Sequence, residues 1–226
     1  MGKIISLVNP KGGTAKSTLA LCLGSVFGDS LIVDLDPQGS VRSWFQDRRL
    51  NGKTKPAKPE TAYFGFAGLP AKAVEEYARR FDYVVIDCPG ESEPGTRTRT
   101  ALVCSDLVVV PVRESEFDVA SLLDHLLPLL EEAEQSNARG GRAVFLPVMC
   151  HVNSNPERTL ARFRELRSEV LPAVLKSRGV FRKFSERGRT LEEYAERGAR
   201  ANDRIQANAA LAEIREIAAQ IEHILS

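Results

Sequence analysis

Lys11, Lys16 and Ser17, set around the pair Gly12-Gly13, are the residues whose types and spacing point most directly to chemistry. They fall in Asn9-Pro10-Lys11-Gly12-Gly13-Thr14-Ala15-Lys16-Ser17, followed by Thr18. Adjacent glycines let a backbone curl with its N–H groups turned inward, which makes a nest for an anion. A helix starting near Lys16 aims its positive end at the same anion. Lys16 supplies a cation for a polyphosphate, and the Ser17 hydroxyl is suited to ligate Mg²⁺. The strict pattern GxxxxGK[ST] is not met, because Pro10 and Ala15 stand where its outer glycines would be.

Two carboxylate motifs follow. Leu31–Ser40 reads LIVDLDPQGS and delivers Asp34, Asp36 and Gln38 to the end of an apolar run. A carboxylate there is placed to orient a water or to hold Mg²⁺ through water, although Asp-Pro-Gln-Gly is also good turn chemistry. Asp82–Gly90 reads DYVVIDCPG, in which four apolar residues lead into Asp87, a second candidate for the Mg²⁺ shell.

These residues need elements to hold them. Lys3–Asn9, Leu31–Asp34, Asp82–Asp87, Asp106–Val112 and Ala143–Met149 read as buried strands, with a further strand at Ala62–Phe66. Helices are expected over Ser17–Phe27, Arg42–Leu50, Ala71–Arg80, Val119–Glu134, Leu191–Arg197 and Ala209–Leu225, and over Pro156–Ser177 with a break at Pro172. Asn51–Glu60 reads as a polar surface loop. Wholly apolar strands alternating with helices predict an α/β fold with a twisted, mostly parallel sheet and helices on both faces, and the phosphate-loop motif after its first strand makes the expected single domain P-loop NTPase-like. Such sheets bind ligands beyond the carboxyl ends of their strands, where each motif lies. At 226 residues one domain is expected over 1–226, with no separate N-terminal DNA-binding domain.

Composition narrows the class. Apolar residues are 43% and charged residues 27%, and the net charge is +1, so any basic surface must be local. No apolar run reaches the roughly 20 residues of a membrane span, and no cleavable leader is evident, so a cytoplasmic protein is expected. Cys22, Cys88, Cys104 and Cys150 are scattered and read as free thiols. The start Met1-Gly2-Lys3 formally fits an acylation signal, but the apolar run behind it predicts a buried strand instead.

Lys11-Gly12-Gly13-x-x-Lys16-Ser17 resembles the deviant Walker A motif of the ParA/MinD family of ATPases, and the chain looks closest to the short plasmid-partition ParA proteins. LDPQ and DCPG resemble the family's two switch motifs, and CSDLVVVPV at Cys104–Val112 its following strand. At Glu114–Asp118 Glu116 replaces a proline common in the family, so no role attaches to that stretch. The resemblance implies ATP and Mg²⁺ as cofactors, with Gly12 to Thr18 around the phosphates and Ser17, Asp36 and Asp87 at the metal. It implies that Lys11 reaches across an ATP-dependent homodimer, and that Asp36, rather than Asp34, supports hydrolysis together with Lys11 and Lys16. It further implies nonspecific DNA as a ligand, a ParB-like centromere-binding adaptor as partner, and nucleoid association.

Charge patterning bears on the DNA expectation. Between Asn155 and Thr190 lie Arg158, Arg162, Arg164, Arg167, Lys176, Arg178, Arg182, Lys183, Arg187 and Arg189 against four glutamates, a local balance of +6 that leaves −5 for the rest. By charge alone this is a solvated surface; with the resemblance, Arg182, Lys183, Arg187 and Arg189 become the candidate DNA contacts. A membrane-targeting terminal helix, as in the MinD branch, is disfavoured by one arginine against three glutamates from Ile205 onward. Other readings are a MinD-like or cargo-positioning regulator, a cluster-bearing redox relative and a non-hydrolysing scaffold. No suitable cysteine pair supports the redox relative, and the intact lysines and carboxylates argue against the scaffold.

Overall fold

In the computed structural model, residues 1–51, 59–65, 67–91, 95–113, 125–137, 139–151, 157, 161, 169–197 and 200–226 are described. In chain order they form β1 (Lys3–Leu7), α1 (Lys16–Val26), β2 (Ser30–Asp34), α2 (Ser40–Leu50), β3 (Glu60–Tyr63), α3 (Ala71–Arg80), β4 (Tyr83–Asp87), α4 (Thr96–Cys104), β5 (Leu107–Arg113), α5 (Leu127–Ser136), β6 (Arg142–Cys150), β7 (Glu169–Val170), β8 (Leu175–Lys176), α6 (Leu191–Arg197) and α7 (Ala201–Leu225). Two 3-10 turns, Gly179–Arg182 and Glu186–Gly188, lie between β8 and α6.

The sheet has eight strands in the order β3-β2-β4-β1-β5-β6-β7, with β8 also along β6, and every pairing is parallel. Alternation along β1 explains the layers: Ile5 and Leu7 join the core beneath α1, α6 and α7, while Ile4 and Val8 join the one beneath α3, α4 and α5. Burying both faces requires the continuous apolar runs seen in the sequence. The chain turns from one half of the sheet to the other at β1, which lies between β4 and β5. A crevice opens at such a switch point, and the loop after β1 borders it.

The structure departs from the sequence reading at four places. The strand expected over Ala62–Phe66 is β3, Glu60–Tyr63: pairing with Leu31–Asp34 of β2 takes Glu60 out of the expected loop and leaves Phe64 and Gly65 beyond the strand. Residues 169–177 are not helical: Leu171, Ala173 and Leu175 are buried in alternation with Pro172, Val174 and Lys176, a strand period, and β7 and β8 pair with β6. The terminal helix begins at Ala201 rather than Ala209. Helix α4, with three threonines in its nine residues, had no apolar periodicity to announce it; Thr98, Ala101 and Leu102 form its buried side. Residues 52–58, 66, 92–94, 114–124, 138, 152–156, 158–160, 162–168 and 198–199 lie outside the described residues, and with them most of the expected loop Asn51–Glu60, the stretch 114–118, the first part of the expected helix Val119–Glu134, most of the first part of Pro156–Ser177, and Arg158, Arg162, Arg164 and Arg167.

Helix α7 lays Ala207, Leu211, Ile214, Ala218 and Ile221 into the core, as its pattern predicts. Among the described residues no helix is long and apolar enough to cross a membrane. The Gly2 amide donates to the Ala78 carbonyl at 2.6 Å, so the residue before β1 is docked as the buried-strand reading requires. Cys22, Cys88 and Cys150 are buried and Cys104 is half-buried, and none of the four is in a disulfide.

Candidate nucleotide site

The loop between β1 and α1 is latched before it is used. Asn9 donates through Nδ2 to Pro111 O of β5 at 2.7 Å and accepts the Lys11 amide on Oδ1 at 2.8 Å. Gly13 and Ala15 both take left-handed backbone, with φ of 70° and 63°. Ala15 thus keeps the conformation for which the strict motif uses glycine, although it carries a Cβ. Gly12 and Gly13 are exposed at the crest. A Cβ on Gly90 would meet Gly12 Cα and N at 3.2 Å, so the Pro89-Gly90 segment packs on the loop where only glycine fits without displacement. The Arg113 guanidinium, at the end of β5, donates to Gly13 O.

Lys16 is buried and threads the loop: Nζ donates to Asn9 O at 2.9 Å and to Lys11 O at 3.0 Å. Burial pushes its pKa down, and the charges of Asp87 and Asp36 pull it back up. Asp87 ends β4, fully buried; neither carboxylate oxygen makes a well-formed hydrogen bond among the described residues, and its interaction with the Ser17 hydroxyl is a weak one. Its pKa is pushed up to about 7 by burial; the Ser17 hydroxyl and the Lys16 charge oppose that rise without cancelling it. A buried, under-satisfied carboxylate beside a serine hydroxyl is a costly arrangement. Oxygen donors of this kind are ones a hard divalent cation takes.

The two aspartates after β2 separate by geometry. Asp34 is fully buried and accepts the amides of Asp36 at 3.1 Å and Arg42 at 2.9 Å, so its carboxylate caps the first turn of α2. Asp36 is half-buried, accepts the Gln38 amide at 2.9 Å, and borders the cleft. Asp36 is therefore the carboxylate available to a ligand, whereas Asp34 is already used by the fold.

A cleft of about 920 Å³ opens above the loop. Residues 12–18 form its floor, Asp36, Ser43, Trp44 and Asp47 one wall, Pro89, Gly90 and Glu91 another, and Phe184, Ser185 and Glu186 the far side. A second cleft of about 420 Å³ lies behind Gly13, Ala15 and Thr18 and is bordered by Met149, Leu175, Phe181 and Arg182. The fold thus gathers Gly12, Gly13, Thr14, Ala15, Lys16, Ser17, Thr18 and Asp36 on one cleft, with Asp87 buried beneath it and within electrostatic reach of Lys16. Phe184 and Ser185 fall within Phe181–Ser185, the stretch that, with Met149–Asn153, position in the fold suggests for base contacts; Glu186 and Glu91 were not foreseen. Glu91 carried a signal, since it directly follows DCPG. Glu186 joins from the far end of the chain with none.

The basic residues divide. Arg178 is spent on Glu213 at 2.5 Å, half-buried. Arg189 stacks on the Tyr194 ring, its guanidinium carbon 5.8 Å from the centroid. Lys183 is exposed but paired with Asp203 at 3.1 Å. Arg182 and Arg187 are exposed, and so are Arg200 and Arg204 at the start of α7, beyond where the charge pattern was read.

A parallel sheet whose switch point carries this loop, a buried lysine and converging carboxylates defines a phosphate-loop nucleotide-binding protein. The chain belongs to the CobQ/CobB/MinD/ParA nucleotide binding domain family, which matches residues 5–222. It is 30% identical over 151 residues to the sporulation initiation inhibitor protein Soj of Bacillus subtilis, covering 50% of this chain and 59% of Soj, less than two thirds of that relative's length. It is 24% identical over 209 residues to the maintenance of carboxysome distribution protein A of Halothiobacillus neapolitanus, covering 89% and 92%. In fold it is similar to cobyrinic acid a,c-diamide synthase from Mycobacterium smegmatis with bound ATP analogue and magnesium, at a TM-score of 0.60, 21% identity, and coverage of 88% and 98%.

The Asp87 arrangement has a measurable consequence. Folding buries Asp87 in a site that favours its neutral form. Between pH 3.8 and about 7 the folded chain therefore binds more protons there than the unfolded chain, and stability falls as pH rises through that window. Asp87→Asn is expected to raise the thermal midpoint of the ligand-free protein at pH 8 by roughly 3 °C or more. That gain should shrink as the pH is lowered through 7, and thermal melts across pH check it.

Proposed function

We propose that this chain is a ParA-type ATPase that binds ATP with Mg²⁺, closes as a homodimer on nonspecific DNA, and hydrolyses ATP to move a cargo. The buried Asp87 carboxylate, under-satisfied beside Ser17 and Lys16 at the foot of the main cleft, carries the reading. The ATP analogue and magnesium bound in the similarly folded synthase support the cofactor assignment.

Lys16 and the loop amides neutralise polyphosphate charge, with Thr14, Ala15 and Thr18 completing the cradle. Ser17, Asp87 and, through water, Asp36 would hold Mg²⁺, which when bound neutralises charge on the β- and γ-phosphate oxygens. The apolar second cleft, bordered by Met149, Leu175 and Phe181, suits the purine. Lys11 serves the nucleotide of the opposite subunit. Asp36 orients the attacking water, and phosphoryl transfer to it then proceeds largely by positioning and charge neutralisation. Arg182, Lys183, Arg187 and Arg189 belong to the DNA-facing side, and a ParB-like centromere-binding adaptor is the partner class that stimulates turnover. In this reading the protein is cytoplasmic and nucleoid-associated, and one domain spans 1–226.

Asp36→Ala tests the assignment. The variant should bind Mg·ATP within about threefold of wild type, while phosphate release falls at least about 100-fold, the usual range for loss of a positioned acid–base group. Intact turnover would return Asp36 to the role of a turn residue.

A second reading has a specific observation behind it. Of the two curated relatives compared above, the carboxysome distribution protein matches over far more of both chains. The cargo would then be a protein assembly rather than a plasmid or chromosome. Both readings share the ATP switch and differ in the adaptor, so identifying the protein that accelerates hydrolysis separates them.

A further inference from the structure

The turn 185–189 is built into two places at once. Its inner residues Ser185 and Glu186 complete the far side of the nucleotide cleft, and its outer residue Arg187 is exposed among the basic side chains. The turn is held tightly to α2, the helix whose Ser43, Trp44 and Asp47 line the same cleft. Arg48, on α2, is nearly buried, with 7% of its side chain exposed. Its Nη1 donates to Gly188 O at 2.8 Å and to Glu193 Oε2 at 2.9 Å, and its Nη2 donates to Glu193 Oε1 at 3.1 Å. One turn earlier on α2, Trp44 Nε1 donates to Arg189 O at 2.8 Å.

The receiving side is equally committed. Glu193 accepts the Thr190 amide at 3.0 Å while its own amide donates to Thr190 Oγ1 at 3.2 Å, a capping box that fixes the start of α6. Gly188 has φ of 65°, and a Cβ there would lie 2.2 Å from Arg48 N. Arg187, with a full side chain, is held at φ of 59°. Such a conformation is costly for a non-glycine residue and persists only where its surroundings enforce it. Helix α2 follows directly from the Asp36–Gln38 segment, and Asp34 caps its first turn. A shift of that segment is thus passed along a rigid helix to the Arg48 end.

We infer that Arg48 is a positioning residue that couples the nucleotide cleft to the basic surface: through Gly188 and Glu193 it makes the 185–189 turn follow α2, so that the nucleotide state sets the placement of Arg187 and its neighbours. This rests on the ATP-switch reading above for the nucleotide and on the DNA reading for the use made of the surface. Neither Arg48 nor Glu193 lines the cleft, so neither acts as a ligand of the nucleotide.

The test compares wild type with Arg48→Met on the full chain. Limited trypsin digestion with mass spectrometry reads cleavage after Arg182, Lys183, Arg187 and Arg189, in Mg·ADP and in Mg with a slowly hydrolysed ATP analogue. Fluorescent-nucleotide titration and DNA anisotropy run alongside. In wild type the two nucleotides should give cleavage rates at these sites differing at least about fivefold. In Arg48→Met that difference should vanish while nucleotide affinity stays within about threefold. A difference retained by the variant, or absent from wild type, overturns the coupling. If the wild-type difference is present and Arg48→Met removes it, yet DNA is bound in no nucleotide state, the coupling stands and the DNA reading falls. Loss of affinity for both nucleotides in equal measure would make Arg48 a merely structural residue and also overturns it. Should Arg48→Met not fold, Glu193→Gln replaces it: an amide oxygen can still accept from Thr190, so the capping box is kept while the bidentate charge pair is lost.

Discussion

Lys16→Ala should lose at least about 100-fold in affinity for Mg·ATP, because a buried ammonium makes charge-assisted hydrogen bonds worth about 1.5–3 kcal/mol each. Two effects add in the variant. The ligand loses its principal cation, and the loop loses the strap formed by Nζ to the carbonyls of Asn9 and Lys11. Without the strap, a loop that must hold Gly13 and Ala15 in left-handed conformation is less well organised to receive a phosphate. A third effect acts on the ligand-free chain. Lys16 is the cation that holds down the pKa of Asp87, so its removal leaves that buried carboxyl still more strongly driven to the neutral form. Lys16→Ala should therefore melt below wild type at pH 8, and Lys16→Ala/Asp87→Asn should recover much of the loss without recovering ATP binding. Isothermal titration of ATP and thermal melts of the single and double variants give both readouts. Near-wild-type ATP affinity in Lys16→Ala would overturn the phosphate-loop assignment. Additive melting shifts in the double variant would show that the two side chains do not interact.

The parts of this site that lie in one stretch of chain were legible in the sequence. The order strand, Gly-Gly loop, lysine, hydroxyl and apolar helix is a local program, and β2 and β4 are apolar runs that could only be buried strands. What depended on distant packing was not. Asp34 and Asp36 are equivalent in spacing, and only the seating of α2 on the Asp34 carboxylate separates them. Residues 169–177 carry leucine, alanine and valine that suit helix and strand alike; the open edge of β6 decides for strand. The far side of the cleft, Phe184 to Glu186, lies some 170 positions from the phosphate loop in sequence, and no local pattern announces it. Thr190-x-x-Glu193 went unremarked as a capping box, and no local pattern says that Glu193 also receives Arg48 from α2.

Geometry also thins the basic surface to the residues that a phosphodiester can reach. Arg178 is neutralised by Glu213 and Arg189 lies against Tyr194, so neither offers its full charge to solvent. Lys183 shares its charge with Asp203. Arg182 and Arg187 are exposed, on the turns that flank Phe184. Their combined replacement, Arg182→Ala/Arg187→Ala, is expected to cut DNA affinity sharply while leaving the thermal midpoint of the protein near that of wild type. Each neutralised phosphate contributes about −0.9 to the slope of log K against log salt, so two contacts per subunit lost from a dimer should flatten that slope by about 3.6. Charge loss rather than unfolding is then the cause, since unfolding would lower the thermal midpoint as well. Fluorescence anisotropy on duplexes of unrelated sequence, from roughly 50 to 200 mM salt, reads the slope directly. Arg200→Ala/Arg204→Ala, the exposed pair at the start of α7, serves as the comparison. A flattened slope for that pair alone would move the contact to α7. An unchanged slope in both double variants would leave the surface charged but idle toward DNA, and the cargo switch would then need another tether.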